Sequence, residues 1–375
     1  MSTIREMLSI AGSIENAEKM AKQFIKDKGD GFLLDLELLY GLQGKISESW
    51  EICEQATKAF PNDNRVAYNR GWHVMLQGDL LGGFTLMNKG RSERLWGNPP
   101  LETTKPIWDG EENIEGKHIL FNSEAGFGDE IAFSRFAKEL GKMGAKVTFI
   151  CSEAFMSLMA RIPEFSAVVQ KEAALGVYHD YWIPSMLSPV LLKKQFENLS
   201  GKPYLTPSPE YVEKFSHYIK SDKLKVGFRW LGREGEDYVN RIFPRDLMIE
   251  SINQDHVQLY SLQKDIRTRE DYDGRDLPID IIDLEILLET WEDTAGAIAN
   301  LDLIISSCTS TAHLAGAMGK PTWIIVPTMM YYIWCHLGDK SSWYDSVVLF
   351  RQEVYGEWSQ PFEKIKDSLK RWKKE

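Results

Sequence analysis

The sequence predicts an α-helical N-terminal segment followed by two α/β domains, each built on a parallel sheet. Three observations support this fold class. A 34-residue repeat with helical spacing lies near the start of the chain, a stretch rich in proline and glycine follows it, and strand-length apolar runs then alternate with helical patterns. At 375 residues, the chain has room for about two or three domains of ordinary size.

The composition excludes several other classes of protein. Hydrophobic residues make up 43% of the chain, which is typical of a globular protein, and the net charge of −11 argues against binding nucleic acid through a positive field. No signal-peptide pattern opens the sequence, and no apolar run reaches the roughly 18–20 residues that span a bilayer. The four cysteines form no Cys-x-x-Cys pair, which disfavours a zinc ribbon or a disulfide framework. We therefore expect a cytoplasmic protein without a transmembrane segment.

Residues 1–95 are expected to form helical repeats. A shift of 34 residues places Leu42-Gln43-Gly44 on Leu76-Gln77-Gly78, and each copy fits two helices joined by a glycine turn. The period and the pattern resemble the tetratricopeptide repeat. Because one repeat cannot bury its own apolar face, two copies must pack on a neighbouring domain. Two interpretations stay open, a surface that binds a partner or an acceptor substrate, and a helical support for the next domain.

The second part of the chain is expected to hold two parallel sheets. Residues 96–116 are predicted to be a linker, since prolines and glycines interrupt any period there, with Trp108 as an anchor against a flanking domain. Continuous apolar runs after it predict strands buried on both faces. We place one α/β domain at 117–205 and a second at 206–375, with a ligand cleft where the strands end. The predicted strands are 118–121, 146–151, 225–230, 257–262, 301–306 and 322–326.

A glycine-rich turn after the first predicted strand is one candidate ligand site. Gly126 and Gly128 allow a ligand to approach the backbone closely, and Asp129 falls in the first turn of the helix that follows. Alternatively, Asp129 only balances the helix dipole. As a dinucleotide fingerprint the turn is incomplete, because Ile131 occupies the third glycine position. A nicotinamide-dependent enzyme is therefore the weaker alternative.

A second candidate site follows the strand predicted at 301–306. Its hydroxyls, together with unpaired N–H groups at a helix start, can bind a phosphate or a diphosphate. His313, one turn further along, is placed to donate to a phosphate oxygen; the alternative is a packed histidine with one backbone hydrogen bond. The residues that begin this short, small-residue helix are Cys308, Thr309, Ser310 and Thr311.

Five motifs occur in a fixed order along the second part of the chain. They are Glu-Ala-Gly-Phe-Gly-Asp at 124–129, Val-Gly-Phe-Arg-Trp at 226–230, Ser-Leu-Gln-Lys at 261–264, Asp-Thr-Ala at 293–295 and Thr-Ser-Thr-Ala-His-Leu-Ala-Gly-Ala-Met-Gly-Lys-Pro at 309–321. This ordered set resembles the tetratricopeptide-linked glycosyltransferases of bacteria and phages. Their catalytic part is similar to glycosyltransferase family 9, the heptosyltransferases, and more distantly to the O-linked N-acetylglucosamine transferases. The resemblance covers about Trp108 to the end of the chain.

The resemblance implies a GT-B fold, in which two Rossmann-like domains face each other across the active site. The C-terminal domain is implied to bind a nucleotide-sugar, which is a co-substrate rather than a cofactor, and the N-terminal domain to face the acceptor. The acceptor class stays open among glycans, lipids, proteins and other molecules that bear a hydroxyl. Such enzymes typically invert the anomeric centre without a metal ion, so no metal site is expected.

Individual roles follow from the same resemblance. Asp129 matches the aspartate of the family's glycine turn and is implied to be the general base. The helix start from Thr309 to His313 is implied to bind the donor diphosphate, and Lys264 to offset its charge. Arg241 is a second cation candidate, or else a surface arginine. The remaining candidates for donor binding are Gly126, Gly128, Cys308, Glu124, Trp230 and Gln263.

One position departs from the family pattern. Cys308 stands where these enzymes usually have an aspartate directly before the threonine. Backbone N–H groups carry most of the anion binding, so donor binding is still expected. The departure keeps open a second function, a non-catalytic interaction scaffold with a degenerate transferase domain.

The chain ends in a predicted basic amphipathic helix. Phe362, Ile365 and Leu369 fall on one side of it and lysines on the other. We expect this helix to pack back across the fold, with peripheral attraction to the inner membrane surface as the alternative.

Overall fold

A computed structural model describes residues 4–174, 176–232, 243–264, 276–329, 331–335 and 338–372. The N-terminal part is helical, as predicted. Glycines with positive φ close the turns within both repeat copies, at Gly44 (φ 75°) and Gly78 (φ 97°). Its helices are α1 (Ile4–Ala11), α2 (Ile14–Lys28), α3 (Leu33–Leu42), α4 (Ile46–Ala59), α5 (Asn64–Leu76) and α6 (Leu80–Met87). Their assignment to the tetratricopeptide family stays a prediction.

These six helices pack on the rest of the molecule, as a short repeat array must. Trp72 of α5 lies edge-to-face with Tyr331 and Tyr332, at ring-centroid distances of 6.4 and 6.0 Å. The Thr328 hydroxyl donates to the carbonyl oxygen of Leu42 at 2.5 Å. The helical segment is therefore in direct contact with Thr328, Tyr331 and Tyr332.

A partly buried charge cluster around Glu18 in the helical segment predicts an acid-sensitive step in folding stability. Burial opposes ionisation of Glu18, but hydrogen bonds from Lys22, Lys45 and Gln43 outweigh it and lower the pKa of this carboxyl from 4.5 to about 2. Between these two values the unfolded chain binds the proton more readily, so stability falls as the pH drops from 4.5 to 2. We expect Glu18→Gln to cost about 1 kcal/mol at pH 7, with allowance for solvent screening.

Urea unfolding at pH 7 and pH 3 measures this effect. The cost of Glu18→Gln should shrink at the lower pH, because the carboxyl of the unfolded wild-type chain is protonated there and must lose its proton on folding. A cost that is equal at both pH values would show that the cluster contributes through packing rather than through charge.

The first α/β unit contains a four-stranded parallel sheet with the order β3-β2-β1-β4. The predicted strands at 118–121 and 146–151 are confirmed as β1 and β2, whereas β3 and β4 were not predicted. β3 is half exposed and so lacks a continuous buried apolar run. Trp108 is 2% exposed and joins the core of this unit. Its elements are β1 (His118–Asn122), α7 (Phe127–Lys142), β2 (Lys146–Ile150), α8 (Met156–Met159), β3 (Phe165–Val169), α9 (Lys171–Ala174), β4 (Tyr181–Pro184) and α10 (Ser188–Leu191).

The second α/β unit contains a six-stranded parallel sheet with the order β10-β9-β8-β5-β6-β7. The four strands predicted here are confirmed as β5, β6, β8 and β9, while the two edge strands were not predicted. Its elements are α11 (Pro209–Ser216), β5 (Leu224–Arg229), α12 (Arg245–Ile252), β6 (Val257–Ser261), β7 (Ile282–Asp283), α13 (Trp291–Asn300), β8 (Leu303–Ser307), α14 (Ser310–Ala317), β9 (Thr322–Val326), β10 (Val347–Arg351) and α15 (Ser359–Arg371).

Helices cover both faces of the second sheet. The strand side chains alternate between two cores: α12 and α15 belong to one, and α13 and α14 to the other. The final helix α15 buries Phe362, Ile365 and Leu369 against this sheet. Among the described helices, none combines the length and the apolar character needed to cross a bilayer.

Candidate functional site

A cleft of about 1780 Å³ lies between the two α/β units. Its walls are the segments that follow the carboxyl ends of β1, β2, β5, β6 and β8, together with the start of α13. Helix α7 of the first unit crosses α14 of the second unit. The two units meet where the backbone at Gly128 lies against the His313 ring. A methyl group at Gly128 would come within 2.8 Å of His313 Cδ2. The glycine turn and the small-residue helix, which are far apart in sequence, thus meet at one site.

Asp129 is 6% exposed and lies in the first turn of α7. Its Oδ2 accepts a hydrogen bond from Gly126 N at 3.1 Å, which caps the helix. Its Oδ1 accepts from the hydroxyl of Tyr331 at 2.5 Å and also from the hydroxyl of Tyr332. The carboxylate therefore belongs to one unit and is held by phenols of the other.

The two tyrosines act as donors because they stay protonated. Burial, and next to it the charge of Asp129, raises the pKa of Tyr331 and of Tyr332 well above the ordinary value. Tyr331 and Asp129 both line the cleft, so one of the two phenol donors to this carboxylate belongs to the site itself.

The start of α14 faces the same cleft. Cys308, Thr309, Ser310 and His313 line it. Thr309 is the N-cap residue with extended backbone, and its hydroxyl lies 3.1 Å from that of Ser306. The N–H groups of the first helical turn have no intrahelical partners, which makes this end a site for an anion.

Cys308 and His313 are both packed against Trp334. The Cys308 Sγ accepts from Trp334 Nε1 at 2.7 Å, and the His313 ring stacks on the indole at 4.9 Å. His313 Nδ1 lies 3.0 Å from the hydroxyl of Tyr344. His313 is 3% exposed, so packing holds its ring in place and only an edge of the ring reaches the cleft.

Two cations line the cleft on the side of the second unit. Lys264 is half-buried and its Nζ donates to the carbonyl oxygen of Glu289 at 3.0 Å. Arg229, at the end of β5, donates through Nη1 to Thr311 Oγ1 at 3.2 Å and through Nε to the carbonyl oxygen of Leu231. Thr311 itself is fully buried and touches the site through Arg229.

Of the remaining predicted residues, the three that the structure describes lie outside the cleft lining. Glu124 is 1% exposed and pairs with Arg91, and Trp230 belongs to the core of the second unit. Gln263 is buried, and its Oε1 accepts from Leu231 N at 3.0 Å, so it supports the loop that carries Lys264. Arg241 lies outside the described residues.

Sequence reasoning missed several side chains of the cleft wall, and three of them matter for its chemistry. Arg229 could have been found, because it ends a predicted strand at the edge where ligands bind. Glu130 is buried beside Asp129 and accepts from the hydroxyl of Ser152; burial raises the pKa of its carboxyl despite this bond. Tyr331 lies in a loop without any recognisable motif, so no local signal pointed to it.

Comparison with known proteins places the chain near one curated protein. No family model matches the sequence. Protein FlbA of Caulobacter vibrioides is 24% identical over 407 residues, which cover 96% of this chain and 64% of that protein. The chain thus spans slightly less than two thirds of the length of the curated relative that it matches.

Comparison with solved structures gives distant likenesses to several glycosyltransferases. A family 9 glycosyl transferase of Veillonella parvula is 10% identical with a TM-score of 0.49, covering 65% of this chain and 88% of its own. ADP-heptose lipopolysaccharide heptosyltransferase II of E. coli is 12% identical with a TM-score of 0.44, and the match covers 67% of this chain and 97% of that one. An O-GlcNAc transferase of Thermobaculum terrenum is 13% identical with a TM-score of 0.32, and the match covers 98% of this chain and 91% of that one. Likenesses at this level assign no activity to the chain.

Proposed function

We propose that the chain is a glycosyltransferase that moves a sugar from a nucleotide-sugar to a hydroxyl of an acceptor. One observation carries the proposal: the Asp129 carboxylate of the first unit and the start of α14 in the second unit belong to the same cleft. Sugar transfer needs a base for the acceptor proton and stabilisation for the departing diphosphate. The cleft offers both, one from each α/β unit.

The leaving group is proposed to bind at the start of α14. The N–H groups after Thr309 and the hydroxyl of Ser310 donate hydrogen bonds to its phosphate oxygens, and Lys264 and Arg229 offset its charge. With two cations at hand, the proposal needs no metal ion to neutralise the diphosphate. Packing holds the His313 ring in place. A hydrogen bond from the ring edge to the diphosphate therefore costs little side-chain entropy.

The chemical step is a single displacement. The acceptor oxygen forms a bond to the anomeric carbon while the bond from that carbon to the diphosphate oxygen breaks, so the proposed reaction inverts this centre. The acceptor proton passes to Asp129, and the nucleoside diphosphate leaves with the electron pair of the broken bond. Tyr331 and Tyr332 hold the carboxylate in place for this transfer.

Nucleotide binding is the first test of the proposal. At a concentration of 100 times its Kd, a nucleoside diphosphate stabilises the folded protein by about 2.7 kcal/mol, which thermal unfolding detects. We expect at least one of ADP, GDP, UDP, CDP and dTDP to raise Tm. If none does so at millimolar concentration, the transferase is excluded and the non-catalytic scaffold becomes the favoured function.

The Lys264→Met variant tests whether the diphosphate of the nucleotide binds next to Lys264. Loss of a charged hydrogen bond to a phosphate is expected to weaken binding by about tenfold or more. Lys223→Met removes an exposed lysine outside the cleft lining and is the matched control. Equal affinity of both variants would place the diphosphate elsewhere.

A further inference from the structure

A buried cluster of titratable side chains lies inside the helical segment and shares no residue with the cleft lining. Glu37 of α3, Cys53 of α4 and His73 of α5 bring one oxygen, one sulfur and one nitrogen atom within 4.8 Å of one another. The three residues are 3%, 0% and 7% exposed, respectively. Burying such groups is costly unless each is satisfied by a partner of opposite character.

Packing alone does not require these residue types. The 34-residue shift that relates the two repeat copies pairs Cys53 with Met87 and His73 with Leu39. Both counterparts are fully buried and apolar. Each of the two equivalent positions is thus filled without a thiol or an imidazole, so Cys53 and His73 are particular to their own positions.

The donor set and its surroundings match a metal ion of borderline softness. Thiolate, imidazole and carboxylate are the three ligand types of protein-bound Zn²⁺. Glu37 Oε1 and His73 Nε2 are 3.1 Å apart. Ser49 Oγ lies 3.4 Å from the same nitrogen and offers a fourth ligand atom. In a tetrahedral zinc site neighbouring ligand atoms are about 3.3–3.8 Å apart, so the cluster needs shifts of roughly 1 Å at most.

A supporting residue orients the carboxylate. Asn69 Nδ2 donates to Glu37 Oε2 at 3.2 Å, which directs Oε1 towards His73. Fixing a ligand through its second oxygen is the arrangement that supports metal ligands elsewhere. The Trp50 ring lies 5.4 Å from that of His73 and covers it.

We propose that Glu37, Cys53 and His73 form a structural Zn²⁺ site that ties helices α3, α4 and α5 together. The ion displaces the thiol proton of Cys53 to solvent and takes the lone pair of His73 Nε2. Zn²⁺, one thiolate and one carboxylate then sum to zero charge, which suits a buried site. Because binding of the metal releases the thiol proton, metal affinity should increase with pH.

Cobalt titration tests this site without any assay of transfer. The full, untagged chain is treated with a chelator under reducing conditions, and Co²⁺ is added. We expect one equivalent to produce a sulfur-to-cobalt charge-transfer band, and one equivalent of Zn²⁺ to abolish it and to raise Tm. If stoichiometric Co²⁺ produces no such band in the wild-type chain, the cluster is a hydrogen-bonded polar core and the proposal is wrong.

Variants assign the ligands. Cys53→Met and His73→Leu introduce the residues of the other repeat copy, so the fold should be kept while the band is lost. Cys151→Ser removes a buried thiol outside the cluster and should keep the band. We expect Asn69→Ala to weaken Co²⁺ binding by roughly 10–100-fold. A band that persists in Cys53→Met would place the metal at another thiol and overturn the assignment.

Discussion

Asp129→Asn is expected to lower sugar transfer by about 10²–10⁴-fold while nucleotide binding is retained, since this is the contribution of a positioned general base. Asparagine has the same size, and its oxygen can still accept from Tyr331 and Tyr332. It cannot take a proton from the acceptor. Transfer rates with the donor identified by the nucleotide screen, measured alongside the Kd of the nucleotide, separate chemistry from binding.

Two further variants sharpen this test. Glu210→Gln removes an exposed acid from the first turn of α11, outside the cleft, and should leave transfer unchanged. Tyr331→Phe removes one of the donors to Asp129 and should lower the rate by a smaller factor than Asp129→Asn. Full transfer by Asp129→Asn, with unchanged nucleotide affinity, would show that another group is the base. Glu130 would then be the next side chain to replace.

Arg91→Ala is expected to cost about 3 kcal/mol of unfolding free energy, because it leaves a buried carboxylate without its cation. Glu124 is 1% exposed, and Arg91 contacts both of its oxygens, at 2.6 and 2.8 Å. The backbone N–H groups of Asn98 and Met186 also donate to it. Urea unfolding with a structural probe on each part of the chain measures the loss.

A second ion pair serves as the control for this effect. Lys364 and Glu353 are each more than half exposed, so Lys364→Ala should cost less than about 1 kcal/mol. Combining Arg91→Met with Glu124→Gln removes both charges and should recover part of the stability. If Arg91→Ala costs no more than Lys364→Ala, Glu124 is satisfied by backbone donors alone.

The Arg91 pair also explains why the role of Glu124 could not be predicted from its motif. Glu124 directly precedes the glycine turn, and the sequence suggested a donor-binding residue. In the structure it joins the helical segment to this turn, next to Ala125, whose φ is +62°. Its partner is 33 positions earlier in the chain, and no local pattern links two such positions.

Much of the fold could be predicted because it depends on local patterns. Buried parallel strands need continuous apolar runs, so the six predicted strands are found in the two sheets. The helix pairs around Gly44 and Gly78 follow from the 34-residue period. The strands that were missed lie at sheet edges. Two of them, β3 and β7, are largely exposed and lack a continuous buried apolar run.

The sequence by itself determined the order of the elements, the glycine turn before Asp129 and the hydroxyl-rich start of α14. Each of these is a property of a few consecutive residues and their preferred backbone geometry. Only the tertiary structure decided that Tyr331 and Tyr332 hold Asp129, that Arg229 joins the cleft, and that Glu37, Cys53 and His73 meet. Such contacts arise when separate elements pack, and side chains far apart in the chain become neighbours only then.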